Sequence, residues 1–178
     1  MEFYLKFWNL LGKDFVCILN SCFQSGRLSL SQDRGVISLS LKKGDQLDIR
    51  NWRPISLLNM NYKLVAHAIA GKLFRVIHLV VARDQTCGVP GRFIGENVAF
   101  LRDVIDFAAF STSPVTLLSL DQKKAFDQVE WSFMQDTLLA MGFGLSFASL
   151  VDLFYCGVQS CVDVNGHLPS FFPLSRGV

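Results

Sequence analysis

The chain has 178 residues, 51% of them apolar and 18% charged, with a net charge of +2 and a mean hydropathy of +0.33. That is enough for one domain with a real core, yet no apolar run reaches the roughly 18 residues a membrane span needs. Glu2 and Lys6 near the N-terminus, with no small-residue cleavage site, speak against a signal peptide, and five cysteines without a Cys-x-x-Cys pair argue against disulfide or zinc frameworks. Phe3, Phe7, Leu10, Leu11, Phe15, Ile18 and Leu19 recur at helical spacing and predict a helix over 2–24, with Gly26 placed to end it. GVISLSL at 35–41 alternates like a strand. Lys42-Lys43-Gly44-Asp45 makes a turn with a basic tip. Asn51-Trp52-Arg53-Pro54 is extended, because Pro54 disfavours helix at Arg53. A long helix is expected over about 57–81, carrying Lys63, His67 and Arg75 as a basic stripe. Such a stripe can track a phosphate backbone, or it is an ordinary solvated face.

After a loop at 84–92 comes a helix at about 94–110, with Arg102 and Asp106 spaced for an i,i+4 pair. Pro114 precedes an apolar segment, Leu117-Leu118-Ser119-Leu120, expected to be a buried strand that delivers Asp121 at its mouth. A carboxylate there, followed by a turn into a helix, suits a divalent metal and phosphate oxygens. A plain helix cap is the competing account. Helices are expected over 131–141 and 145–156, and a hairpin over 158–164 and 171–174 turning at Asn165-Gly166. The two halves of the chain differ in charge. Residues 1–83 hold 12 Lys/Arg against 5 Asp/Glu, whereas 84–178 hold 5 against 10. A basic half suits a polyanion and an acidic half suits cations, unless both are chance clustering on solvated faces.

Several segments stand in a fixed order: GVISLSLKKGD, IRNWRPISLLNMNYKLVAHAIAGKL, DQTCGVPGRFIGENVAFLRDVID, SLDQKKAFDQVEW and PLSRGV. Together they resemble the reverse transcriptase domain of LINE-type non-LTR retrotransposons. The resemblance implies an α+β class and a partial right-hand polymerase fold, with helices packed on a small antiparallel sheet. It divides the chain into a helical lead-in at about 1–33, fingers at 34–113 and an incomplete palm at 114–178. Template-directed polymerisation is in-line phosphoryl transfer assisted by two divalent ions, here Mg²⁺ or Mn²⁺.

By the same resemblance Asp121 is the catalytic, metal-binding carboxylate, and Gln122 offers its backbone carbonyl to a metal. Lys42, Lys43 and Arg53 hold the incoming nucleotide's phosphates, the backbone near Lys124 and Ala125 faces the triphosphate, and Phe126 packs under the sugar. Arg92, Lys63 and Arg176 serve the template, Arg92 alternatively ordering the fingers. Asp127 is expected to cap a helix beginning near Val129 rather than to bind metal.

Leu41 stands where the family usually has Pro before the paired lysines. SRGV opens a motif that normally continues with a Gln-Gly pair and, further on, an aromatic-x-Asp-Asp hairpin carrying the remaining metal-binding aspartates. The expectation is therefore a reverse transcriptase fragment that is inactive alone, with RNA template, DNA primer and dNTP as partners. The missing palm and thumb would be its natural protein partner, and its setting would be intracellular and away from membranes. The alternatives are a non-catalytic RNA- or DNA-binding module and the inert product of a degenerate element.

Overall fold

Residues 2–111 and 114–177 are described by a computed structural model. The boundary expected at residue 113 and the last residue of the PLSRGV motif, Val178, lie outside the described residues. The chain divides into two compact units. One comprises residues up to 64 together with those from 126 onward, and the other runs over 65–125.

The first unit opens with α1 (Glu2–Ser25), whose apolar spacing gives the expected helix. Tyr4 donates its hydroxyl hydrogen to Asn61 Oδ1. Four strands then form one sheet: β1 (Arg34–Leu41), β2 (Trp52–Leu57), β3 (Gln159–Val162) and β4 (Phe172–Pro173), in the order β2-β1-β3-β4. β1 pairs antiparallel with β2, Val36 opposite Leu57 and Leu41 opposite Trp52. β3 pairs antiparallel with β4, with Ser160 opposite Phe172.

The sheet departs from the all-antiparallel expectation at its centre, where β1 runs parallel to β3 and Val36 faces Cys161. The reason is connectivity. More than a hundred residues separate these strands, and a parallel pair requires such a long crossover, whereas the short segments 42–51 and 163–171 join β1 to β2 and β3 to β4 as antiparallel neighbours. The second hairpin turns at Asn165-Gly166, both at positive φ (54° and 81°), the conformation that Asn-Gly adopts most cheaply in a two-residue turn.

The core of this unit gathers Cys22, Leu28, Ala148, Leu153, Phe154 and the fully buried Cys161. Two buried polar side chains are satisfied by partners within the unit. Gln32 Oε1 accepts from the backbone N–H and hydroxyl of Ser29 at 3.2 and 2.9 Å, and Ser160 Oγ donates to the Gly35 carbonyl at 3.1 Å. α5 (Trp131–Ala140) and α6 (Leu145–Asp152) pack on each other in the same unit.

The helix expected over 57–81 is shorter and broken. Its first residues belong to β2, and it is realised as α2 (Met60–Phe74) and a single turn, α3 (Ile77–Val80). Val76, Ile77, Val80 and Val81 crowd the break, and β-branched side chains lose rotamer freedom in a helix. The last turn of α2 tightens through Arg75 N–H to Lys72 O at 3.3 Å and Val76 N–H to Leu73 O at 3.0 Å. Arg75 therefore lies one residue past the helix that carries Lys63 and His67.

In the second unit, α4 (Ile94–Phe110) follows the loop at 81–93 as expected. The Arg102–Asp106 pair is not formed, since the ion pair present among the described residues is Arg50–Asp48. Val65 and Val89 are buried in this unit, while α4 leaves Phe100, Phe107 and Phe110 exposed.

The strand expected at 117–120 is absent. Residues 114–122 take no regular structure, and Leu118 and Leu120 are 75% and 82% exposed. Alternation and β-propensity create a strand only where another strand accepts its ladder hydrogen bonds. Among the described residues none pairs with this segment.

Candidate functional site

The first basic group is built by the β1–β2 hairpin. Ser40 lies opposite Arg53 and Leu41 opposite Trp52, and Lys42 N–H donates to Asn51 O at 2.8 Å. That register carries Lys42 and Lys43 off the end of one strand beside the point where Arg53 enters the next. All three side chains are exposed.

The hairpin tip is held by its own polar groups. Leu47 N–H donates to Asp45 Oδ1 at 2.9 Å, Asn51 Nδ2 to Asp45 O at 2.9 Å, and Trp52 Nε1 to Gln46 O at 3.0 Å. Asp48 accepts from Arg50 Nη2 at 2.8 Å, which holds its carboxyl below the usual range and raises the Arg50 guanidinium. Arg50 is thus paired, and Lys42, Lys43 and Arg53 are the tip cations without an ion-pair partner among the described residues. The arrangement can grip a polyphosphate, Arg53 through two-point hydrogen bonding and the lysines as point charges.

A second group in the same unit joins Phe126 to Arg176. Phe126 opens a single 3₁₀ turn, Phe126–Gln128, and is 74% exposed. The Ser-Arg-Gly segment returns beside the residues that follow. Gly177 N–H donates to Val129 O at 2.9 Å, Glu130 and Arg176 form an antiparallel bridge, and Trp131 Nε1 donates to Gly177 O at 2.8 Å. This tie joins residues 46 positions apart and leaves no periodic trace in the sequence. Only the indole, a lone donor that wants a partner when half-buried, hinted at it.

Asp127 does not take the expected capping role. α5 starts at Trp131, its N-cap is Glu130 without a side-chain cap bond, and Asp127 lies exposed in the 3₁₀ turn. The turn places Asp127 too far before the helix for its carboxylate to reach the N2 or N3 amides. Lys63 lies exposed on α2.

In the second unit Asp121 and Gln122 are exposed in the irregular segment, not seated on a buried strand, and Lys124 and Ala125 occupy the turn that follows. Lys124 has φ +50°, a left-handed conformation costing a non-glycine residue roughly 1–2 kcal/mol and often found at ligand-holding turns. The Asp121 carboxylate and the Gln122 carbonyl are hard oxygen donors of the kind Mg²⁺ accepts. Among the described residues no group of three or more His, Cys, Asp or Glu side chains converges, so these residues alone do not fit a two-ion site.

Arg92 is half-buried, and its guanidinium is spent within its own unit. Nη1 donates to Gln85 O at 2.7 Å and to Ala82 O; Nη2 donates to Val81 O at 2.9 Å and His78 O at 3.3 Å. No helix of the described residues is long and apolar enough to cross a membrane.

Residues 41–178 match the family model described as reverse transcriptase (RNA-dependent DNA polymerase). Over all 178 residues the chain is 42% identical to the "Transposon TX1 uncharacterized 149 kDa protein" of Xenopus laevis, and it spans 14% of that protein's length.

Proposed function

Because the chain belongs to the reverse transcriptase (RNA-dependent DNA polymerase) family, we propose that it is part of the RNA-directed DNA polymerase of a LINE-type non-LTR retrotransposon. In this reading it contributes the fingers and the first part of the palm. The family match runs unbroken from the basic hairpin to the Ser-Arg-Gly segment, and the transposon relative covers the whole chain. The observation that carries the reading furthest is the hairpin tip, where Lys42, Lys43 and Arg53 are exposed together and have no ion-pair partner among the described residues.

Those three residues bind the incoming dNTP through its phosphates. Phe126 lies under the sugar, and the turn at Lys124 and Ala125 turns backbone amides toward the triphosphate. Lys63 and Arg176 contact the template backbone. Asp121 and Gln122 supply the first oxygens to divalent metal, whose role in the family is to stabilise charge on the transferring phosphoryl group. The remaining ligands come from the longer protein of which the Xenopus relative is an example, as do the palm and thumb segments that cover the exposed leucines at 117–120.

The test is a gel shift with an RNA template–DNA primer across a salt series, with and without dNTP. Binding should weaken steeply with salt, and the dNTP-dependent gain should vanish when Lys42, Lys43 and Arg53 are changed together to Ala. Salt-insensitive binding, or a dNTP response that survives the triple change, would count against the reading. The 178 residues alone should extend no primer above an Asp121→Ala control, because losing even one major electrostatic stabiliser costs about 10²–10³ in rate.

A further inference from the structure

We infer that Trp131 is a positioning residue for the template contact, holding Arg176 at a fixed place beside the 3₁₀ turn at Phe126–Gln128; the inference rests on the reading of Arg176 given above. Three backbone-level ties support it. The Trp131 indole N–H donates to Gly177 O at 2.8 Å, Gly177 N–H donates to Val129 O at 2.9 Å, and Arg176 bridges Glu130 between them. The residue that carries the side-chain cation is thus pinned on one side by Gly177, while its own side chain stays exposed in an open hollow with Glu130, Trp131, Ser132 and Ser175.

Gly177 sits at φ +98°, where L side chains rarely go, and its Cα hydrogens face the backbone of Asp127 and Phe126, within 4 Å of where a Cβ would stand. The indole is anchored from behind by Tyr155, ring centroids 5.5 Å apart. Upstream, Leu174 N–H donates to Val158 O at 3.0 Å, so the segment is tied to the sheet as well. The pattern ties the arginine's backbone from both directions and leaves its guanidinium without a protein partner among the described residues. A cation that only decorated the surface would need no such clamp, whereas one that must meet a phosphate in a fixed register gains from losing its conformational freedom in advance.

The experiment measures binding of an RNA template–DNA primer to the 178-residue chain by fluorescence anisotropy across a salt series, with thermal unfolding followed alongside. Arg176→Ala should weaken binding severalfold and reduce the slope of log K against log salt by about 0.7–0.9, the loss of one phosphate contact. Trp131→Phe keeps the ring against Tyr155 but removes the N–H donor. It should reproduce most of both changes, and the double variant should bind no more weakly than Arg176→Ala alone. Gly177→Ala strains the same segment by a separate route and should act like Trp131→Phe, so the inference stays testable should the tryptophan variant not fold. Trp8→Phe, on α1, should leave Kd and slope unchanged. If Arg176→Ala weakens binding while Trp131→Phe and Gly177→Ala leave Kd and slope intact, the positioning role is overturned and the template contact stands. If Arg176→Ala has no effect, the template contact fails and the positioning role with it.

Discussion

Arg92 offers the sharpest test of how the second unit is held. Its guanidinium donates to the carbonyls of His78, Val81, Ala82 and Gln85, and these lie in and just after α3, where cations complement the free carbonyl end of a helix. A hydrogen bond from a charged donor contributes about 1.5–3 kcal/mol when buried. Arg92 is only half-buried, and water can replace part of what its removal exposes. Arg92→Ala should therefore cost about 2–3 kcal/mol of local stability, not four full bonds' worth. Arg92→Lys should lose most of that too, because a point ammonium cannot fork across four carbonyls.

The assay is native-state hydrogen exchange with peptide-level readout over 76–93, where both variants should exchange some 30-fold faster or more. Peptides from the β1–β2 hairpin should be unaffected. Wild-type protection in Arg92→Ala would refute the reasoning. If in addition that variant lost about one unit of salt slope on template, Arg92 would be a phosphate contact after all.

Two further outcomes follow from burial. Asp33 Oδ1 is buried without a hydrogen-bond partner among the described residues, and burial raises the carboxyl above its usual value against the opposing pull of Arg34. A raised carboxyl pKa means the folded chain holds its proton longer than the unfolded one, so this contribution is present at low pH and lost as pH rises through the folded value. Asp33→Asn should accordingly raise Tm at pH 7 relative to wild type and lose that advantage at pH 3, and an equal gain at both would contradict the assignment. Tyr62, whose hydroxyl donates to Phe154 O at 3.4 Å, is pushed up to about 12, first by burial and then by Tyr155. Unfolded tyrosine ionises near 10, so stability should fall between about pH 10 and 12, and Tyr62→Phe should flatten that fall in thermal unfolding curves.

Elements with strong local patterning were legible in the sequence. α1, β1, α4, α5 and the Asn165-Gly166 hairpin follow from apolar spacing, alternation and turn chemistry, and their bounds lie close to those expected. What failed was set by partners distant in the chain. The parallel β1–β3 pair depends on a crossover no window can see. Residues 117–120 have strand-like composition, but a strand needs a neighbour to accept its hydrogen bonds, and the described residues provide none. Asp127 looked like a cap, yet the chain takes a 3₁₀ turn before α5 begins. The basic tip with Lys42, Lys43 and Arg53 was readable because a hairpin brings near neighbours in sequence together. The Trp131–Gly177 tie was not, because it joins residues 46 positions apart in the chain.

The most direct measurement is primer extension on an RNA template, with these 178 residues set into the matching span of the Xenopus transposon protein and Mg²⁺ supplied. The account predicts DNA synthesis that Asp121→Asn lowers by about 10²–10³. Synthesis undiminished by Asp121→Asn would contradict it, as would a silent chimera beside an active, unaltered Xenopus protein.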